Sequence, residues 1–253
     1  QLELTYGKCV EMFAESIPSS VVQTYALFES KKVKNGAVFS IIVSAFSIAY
    51  ASSTISMDFD TDPIKRLNAP KFYGYIRDNN RLQVMVLLIL MTMSHVMMKV
   101  LACALMLRLS SFWFTIYMVG EISLYFIYKS LRQDFRYWLR LDGILSWIIS
   151  VFTRFAIKTI VDFTLIVQFR HPFELGGVYW LMSIGLNQAY CFVSVLLYKK
   201  HLNDDDVTDE DTPVSDVSET VVGEENILIS LLWFIITGLF VFSLVILTLF
   251  FLS

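Results

Sequence analysis

Long apolar stretches recur along this chain of 253 residues, and they constrain its fold more than any other feature. About seven windows are long enough to cross a hydrocarbon core of about 30 Å as helices. They run over residues 9–29, 37–57, 83–107, 112–130, 144–167, 175–198 and 227–252. Because a helix satisfies its own backbone hydrogen bonds in lipid, the sequence predicts an all-α, polytopic helical membrane bundle.

Composition agrees with a membrane location. The chain is 56% hydrophobic and 17% charged, whereas soluble domains carry about 25% charged residues. A closed β-barrel would show short alternating segments in place of these long apolar runs. We expect a membrane core over residues 1–202, an acidic disordered cytoplasmic linker over 203–226 and a C-terminal transmembrane helix over 227–253. The chain starts with Gln and shows no signal-peptide pattern, so we expect further residues upstream.

Basic residues in the connections predict the orientation. Three connections carry most of them: Lys65, Arg66, Lys71, Arg77 and Arg81 in the second, Lys129, Arg132, Arg136 and Arg140 in or beside the fourth, and Lys199 and Lys200 at the start of the sixth. If the first window spans the membrane, the positive-inside rule places these connections in the cytoplasm. Lys31, Lys32 and Lys34 in the first connection fit better if the first window is re-entrant. A plasma-membrane location is favoured over an organellar one.

Ionisable residues inside the apolar windows are the main functional signal. They are Glu11, Glu15, His95, Lys99, Glu121, Arg154, Lys158 and Asp162. A charge near the bilayer centre costs about 2.5–3.5 kcal/mol on insertion scales, so it persists where it faces a partner or a wet cavity. The set predicts a polar path through the bundle. The alternative is that the charges pair only to fix helix register.

Two of these sets have helical spacing. His95 and Lys99 are four residues apart, and Arg154, Lys158 and Asp162 form an i, i+4, i+8 row. Residues four apart lie on one helix face, so Lys158 and Asp162 are expected to pair within their helix. Arg154 is then a candidate to bind Glu15, Glu121 or another acid on a neighbouring helix.

The first window is unusually polar. Glu11 and Glu15 share a helix face, and Ser19, Ser20 and Gln23 follow. Pro18 removes a backbone donor and disturbs the preceding turn, so a kink or break near Ser16–Pro18 is expected. The window therefore predicts a broken or re-entrant helix that lines a cavity. An interfacial helix whose acids reach water is the alternative.

The second window repeats small residues at helical spacing: Ser40, Ser44, Ser47, Ala51 and Thr54. Such a stripe lets two helices approach closely in lipid, although it could also form part of a polar groove. The three cysteines, Cys9, Cys103 and Cys191, are far apart and in apolar settings, which indicates buried inert thiols. No metal or cofactor is predicted.

A family resemblance begins in the first window. The stretch ESIPSSVVQTY, from Glu15 to Tyr25, resembles the Glu-x-x-Pro-Gln-x-x-x-Gln-x-Tyr signature of the XK-related membrane proteins, which include caspase-activated and constitutive phospholipid scramblases. Ser19 departs from the Gln after the proline. The serine-rich VFSIIVSAFSIAYAS follows, as a serine-rich helix does in that family.

Two later segments extend the resemblance. HVMMKVLACALMLRLSSFWF is similar to the family's cationic helix that runs into an aromatic segment, with Lys99 where Arg is common. YWLMSIGLNQAYCFVSVLLY is similar to its late helix with a polar Glu-Asn-type pair, here Asn187 and Gln188. The resemblance covers roughly residues 8–200.

The resemblance implies a scramblase-like bundle with a membrane-embedded path for lipid headgroups. Glu15 and Gln23 carry over by position, whereas Glu11, His95, Lys99, Glu121, Arg154, Lys158 and Asp162 are added by the charge argument. The expected function is passive phospholipid exchange between leaflets without nucleotide hydrolysis. The sequence contains no phosphate-binding loop with Lys-Ser/Thr and no Gly-x-Ser-x-Gly elbow, so no enzyme is predicted.

Other readings stay open. Intramembrane charges also suit an ion channel or transporter. They could equally pair with partner helices if the chain is a noncatalytic subunit of a larger complex. The expected partners are membrane phospholipids, with a membrane-protein partner or a second copy of the chain as an alternative, and no nucleic acid.

Two connections are distinctive. The second contains two prolines and mixes acids with bases, and its aromatic residues favour an ordered cap over a surface linker that meets headgroups through Lys71, Tyr73 and Tyr75. Residues 203–226 of the sixth hold ten acids and no Lys or Arg, which is typical of a disordered linker. Candidate regulatory phosphorylation sites there are Thr208, Thr212, Ser215 and Ser218; an inert tether is the alternative.

Overall fold

The described part of the chain is helical. The computed structural model describes residues 2–30, 35–68, 70, 73–74, 76, 78–131, 143–165, 185, 188–189, 191–200, 233–243 and 245–246. Within these ranges every regular element is a helix, which confirms the all-α class. The candidate regulatory residues Thr208, Thr212, Ser215 and Ser218 lie outside the described residues, as do Asn187, Lys71 and Tyr75.

The first window is a helix with a π-helical turn at its centre. Helix α1 (Leu2–Glu11) continues into a π-helix (Met12–Ser16) and then into α2 (Ile17–Glu29). The backbone N–H of Ile17 bonds to the carbonyl of Met12, five residues back. Pro18 has no N–H for the usual i−4 bond, which explains why the ladder shifts immediately before it. The disturbance predicted near Pro18 is therefore present as a π turn.

Helix α3 (Asn35–Thr61) buries a different stripe from the one predicted. Its buried face includes Ile41, Ala45, Ile48, Ser52 and Ile55. In the predicted stripe, by contrast, Ser40 and Ser47 are exposed. Ser44, Ala51 and Thr54 are half-buried. The buried face is offset by about one position from the predicted stripe, because the isoleucines point inward. Ser40 of the stripe still bonds across to Gln23 of α2 at 3.2 Å.

The second connection folds back on the end of α3. After α4 (Pro63–Asn68), the described residues approach Asp60, which is 4% exposed. Its two carboxylate oxygens accept hydrogen bonds from the backbone N–H groups of Gly74 and Ile76, both at 3.0 Å. Arg66 donates from Nε to the Asp60 carbonyl at 2.7 Å. The described part of the connection is thus an ordered cap.

Helix α5 (Arg81–Leu109) is the centre of the bundle and follows a short 3-10 turn (Asp78–Asn80). It is buried from Ser94 to Met106 apart from the half-buried Met97. A helix buried on nearly all sides is expected to be apolar all round. The exceptions, above all His95 and Lys99, therefore require internal partners.

Two further helices pack against α5. Ser110 is extended and its side-chain oxygen accepts a hydrogen bond from the N–H of Phe112 at 3.2 Å, so it caps the start of α6 (Ser111–Leu131). Because one residue separates the two helices, α6 turns back beside α5. Helix α7 (Ile144–Thr164) also packs on α5 and ends at Leu165, whose φ of 55° lies in the left-handed region that commonly terminates helices.

Two later helical segments complete the described core. Residues 191–200 (α8) contact α5 through Val195 and Tyr198. Trp233–Ser243 (α9) contributes Ile236 and Phe240 to a cluster that includes Met98 and Cys191. The last helix thus packs on the core helix as well as facing outward.

The structure supports an integral membrane protein. Among the described residues, three helices are long and apolar enough to cross a membrane: α3, α5 and α7. Ser111–Ile127 of α6 and Trp233–Ser243 are shorter apolar segments. The count of about seven membrane segments and the re-entrant course of the first stay predictions.

Candidate functional site

A buried ion pair joins α5 to α6. The Lys99 Nζ lies 2.7 Å from Oε1 and 2.8 Å from Oε2 of Glu121, so it donates to both carboxylate oxygens. The Lys99 side chain is 1% exposed and that of Glu121 is 11% exposed. In such surroundings an ammonium without a counter-charge would be strongly unfavourable, and the bidentate contact supplies that charge.

A second ion pair lies on α7. Lys158 pairs with Asp162 one turn further along the helix, as the spacing predicted. The Lys158 Nζ is also 4.0 Å from Oε1 of Glu121, which connects this pair to the first. Four charges from three helices, Lys99, Glu121, Lys158 and Asp162, therefore form one chain of alternating sign.

The Lys158 end of this chain connects two helices mainly through side chains. Both α6 and α7 pack against α5, whereas direct packing between α6 and α7 is sparse in the described residues. The Lys158–Glu121 contact connects the two helices. We call this region the α6–α7 seam and define it by Glu121, Lys158, Asp162 and Tyr125.

Tyrosine rings lie near both lysines. The Lys99 Nζ is 5.1 Å from the centre of the Tyr117 ring, and the Lys158 Nζ is 5.3 Å from that of Tyr125. Tyr117 and Tyr125 lie four residues to either side of Glu121, so all three share a face of α6. The negative face of each ring gives the nearby ammonium further stabilisation without adding a formal charge.

His95 ties α5 to the end of α7. Its Nε2 is 2.7 Å from the backbone oxygen of Asp162, and its Nδ1 is 3.1 Å from Nε2 of the Gln188 amide. A carbonyl oxygen only accepts, so Nε2 carries the proton and Nδ1 accepts from Gln188. Asp162 is within the last four residues of α7, whose carbonyls have no partner inside the helix. The neutral His95 supplies that missing donor.

The cluster is electrically balanced. Two lysines and two carboxylates carry equal formal charge, and the tautomer that fits both contacts of His95 is neutral. A balanced set of donors and acceptors can bind a zwitterionic group if the internal pairs open, because each protein charge then finds an opposite charge on the ligand. Among the described residues, no group of three or more His, Cys, Asp or Glu side chains is placed to hold a metal ion.

The remaining predicted path residues lie outside this cluster. Glu11 and Glu15 are exposed on the first helix, and neither forms an ion pair in the described part of the chain. Gln23 connects α2 to α3: it donates to Ser19 at 3.0 Å and accepts from Ser40 at 3.2 Å.

Two of the acids predicted as partners of Arg154 are not its partners in the described residues. Arg154 is half-buried and makes other contacts, whereas the charged contacts of Glu121 are to Lys99 and Lys158. Arg154 therefore pairs with neither Glu15 nor Glu121. Its pairing with another acid stays a prediction.

Sequence reasoning missed three contributors to polar contacts. Asp60 was not singled out, although it organises the cap, and neither was Tyr117 or Tyr125. The i±4 spacing of Tyr117 and Tyr125 about Glu121 was a usable signal. No comparable signal marked Asp60, because its partners are backbone groups of the connection.

Comparison with known proteins returns no relative. No protein-family model matches the chain, and neither a curated protein nor a solved structure matches it significantly.

Proposed function

We propose that this protein exchanges phospholipids between the two leaflets, with headgroups passing along the α6–α7 seam while the acyl tails stay in lipid. The observation that carries the proposal is the chain of alternating charges at this seam, between two helices with few close backbone contacts in the described residues. A bundle that needed only rigid packing would be expected to place apolar side chains here.

The physical requirement for headgroup transfer is a substitute for water. A phosphate or ammonium group that enters hydrocarbon loses its hydration, at a cost of several kcal/mol or more. Fixed lysines and carboxylates can replace that hydration with opposite charges. The exchange runs downhill in either direction and needs no nucleotide.

The weakest contact suggests where the seam opens. Lys99 holds both oxygens of Glu121 and is nearly inaccessible, whereas Lys158 is 4.0 Å from the same carboxylate. In the described conformation the charges are paired and about nine-tenths buried. In the proposed transfer, Lys158 leaves Glu121 and Asp162 to bind a headgroup phosphate, Asp162 binds the headgroup ammonium, and Lys99 keeps Glu121 in place.

The wider features of the proposal come from the sequence. The Glu15 to Tyr25 stretch resembles the XK-related signature, and the exposed Glu11 and Glu15 extend the polar surface onto the first helix. We include in the proposal about seven membrane segments with a re-entrant first one, a plasma-membrane location and phospholipids as partners.

Reconstitution separates the proposal from its rivals. Purified full-length protein is placed in liposomes that carry fluorescent phosphatidylcholine, and a membrane-impermeant reductant bleaches the outer leaflet. Bleaching beyond half of the signal, without flux of a trapped ion or solute, is expected. Solute flux without lipid exchange would indicate a channel or transporter, and neither activity would leave a noncatalytic role.

One substitution tests the seam itself. Lys158→Met should slow lipid exchange by about tenfold or more if its charge stabilises the passing phosphate. Lys200→Met, an exposed lysine on α8, is the matched control and should leave the rate unchanged. A Lys158→Met protein that is folded and exchanges lipid at the normal rate would exclude the seam as the path.

A further inference from the structure

A second candidate site lies on the opposite side of α7 from the seam. A cavity of about 640 Å³ is enclosed by α1, the π turn, the end of α3, α4 and α7. We call it the α1–α7 groove. Its α7 wall includes Thr153, Ile157 and Ile160, which have i, i+4, i+7 spacing and share one face. Lys158 and Asp162 of the seam are not among its lining residues.

Most of the groove is apolar and open on one side. Tyr6, Val10 and Phe152 lie along it and are 65%, 61% and 60% exposed, so the groove reaches the outer surface of the bundle. The Phe13 ring meets the edges of Phe152 and Phe155, with centroids 6.1 and 5.8 Å apart, and these contacts hold the π turn against α7. The apolar wall is therefore preformed and faces the space that lipid occupies around a membrane bundle.

One end of the groove is charged. Asp58 and Asp62 from the end of α3 and the turn after it, with Lys65 from α4, line this end. The Lys65 Nζ lies 3.0 Å above the Phe59 ring centre and 3.9 Å from Asp62. Partial burial lowers the pKa of Lys65, while the nearby Asp62 and Asp58 carboxylates oppose that shift.

Asp58 is the distinctive residue at this end. It is half-buried, and in the described part of the chain it forms neither a hydrogen bond nor an ion pair. Asp62 is occupied, since it accepts from the Ile64 N–H at 2.9 Å and neighbours Lys65. Two carboxylates and one ammonium leave this end with one excess negative charge, which complements a cation.

We propose that the α1–α7 groove binds one phospholipid with a zwitterionic headgroup, its acyl chain along α1 and α7, its ammonium at Asp58 and its phosphate at Lys65. The volume is within the range of about 300–1,000 Å³ typical of small-ligand sites. The order of charged and apolar parts in the groove is also that of a phospholipid. The charged end lies where α3, a membrane-length helix, ends, and the apolar wall runs inward along α7. This site is independent of the seam and of lipid exchange.

Photolabelling tests occupancy directly. The full-length protein in lipid nanodiscs is irradiated with phosphatidylcholine that carries a photoreactive group on one acyl chain, and the labelled peptides are identified by mass spectrometry. Labels are expected within residues 5–14 and 152–160. Labelling spread evenly over the exposed lipid-facing residues of all helices would overturn the proposal.

Two variants then test the tail and headgroup contacts. Ala156→Phe fills the groove and should remove the groove labels, whereas Ile148→Phe on the same helix, at an exposed position outside the groove, should not. Asp58→Asn should lower labelling by phosphatidylcholine relative to phosphatidylglycerol by about two- to fivefold, as expected for a partly exposed ion pair. An unchanged ratio in this variant would overturn the assignment of the headgroup.

The lipid-exchange assay keeps the two proposals separate. Groove labelling in a protein that does not exchange lipid supports the groove and removes the proposed function. Lipid exchange without groove labels supports the proposed function and removes the groove as a lipid site. Thermal unfolding of each variant shows whether a lost label reflects a lost fold, and Asp58→Asn, which breaks no described hydrogen bond, is expected to keep the fold.

Discussion

Lys99 and Glu121 lie level with each other in the α5–α6 hairpin, because each is eleven residues from Ser110 at the turn. At about 1.5 Å per residue, both are about 16 Å from the turn along their helices. The pair is thus a product of the hairpin geometry, and its Nζ–Oε1 distance of 2.7 Å shows that the two helices meet in register.

Breaking the Lys99–Glu121 pair should destabilise the fold. Glu121→Gln or Lys99→Met leaves one buried charge without its main partner, and we expect each to lower the free energy of unfolding by about 3–5 kcal/mol. The double substitution Lys99→Met/Glu121→Gln removes both charges and should recover most of that loss. Detergent-driven unfolding measures all four proteins, and losses that simply add would contradict the pairing.

Neutralising Glu15 should have no comparable effect. Its side chain is exposed and forms no described ion pair, so Glu15→Gln should change the free energy of unfolding by less than about 0.5 kcal/mol. The same unfolding assay provides the comparison with Glu121→Gln. A large loss would mean that Glu15 has a structural partner, and a lower exchange rate at normal stability would support a place on the lipid path.

His95 should stabilise the end of α7 as a neutral ring. In His95→Leu the Asp162 carbonyl loses its donor and the Gln188 amide loses its acceptor, so we expect a loss of about 1–3 kcal/mol in unfolding free energy. Gln188→Leu removes one of these two contacts and should cost less. Nitrogen-15 spectra of labelled histidine should assign the proton of His95 to Nε2; a proton on Nδ1 alone would contradict the observed geometry.

Asp60 should control the order of the cap. Asp60→Ala removes the acceptor for the Gly74 and Ile76 N–H groups, so both amides should exchange with deuterium faster. Asp58→Ala, two residues earlier, is the matched control because Asp58 makes no described bond to the cap. Equal exchange in the two variants would assign the order of the cap to other contacts.

Pro18 should maintain the π turn. In Pro18→Ala the restored N–H can bond four residues back, which favours a regular helix and turns α1 by about 100° relative to α2. Phe13→Cys and Phe152→Cys, whose rings are 6.1 Å apart, should then cross-link less efficiently with a short thiol reagent. Pro63→Ala, which is at the first position of α4 where no donor is needed, should leave the yield unchanged.

Local spacing accounts for the part of the site that was predictable. The Lys158–Asp162 pair needs only the helix repeat, and the disturbance near Pro18 needs only the missing N–H. The proximity of Lys99 and Glu121 could also be predicted. Helix α5 ends and α6 begins next to Ser110, and the two residues are equally far from it along the chain. The acid that pairs with Arg154 was not predictable, because several cations can reach an acid on another helix and spacing within one helix does not rank them.

The sequence by itself determined that this is a helical membrane protein and which residues share a helix face, because lipid forces backbone bonds inside each segment and the helix repeat is fixed. The tertiary structure decided the rest: that Glu121 pairs with Lys99, that His95 caps α7, and that Asp58 ends an apolar groove. These contacts depend on how α3, α5, α6 and α7 pack and on where each one ends. Side-chain packing across several helices determines how they pack and where they end, and the sequence of a single segment does not contain these contacts.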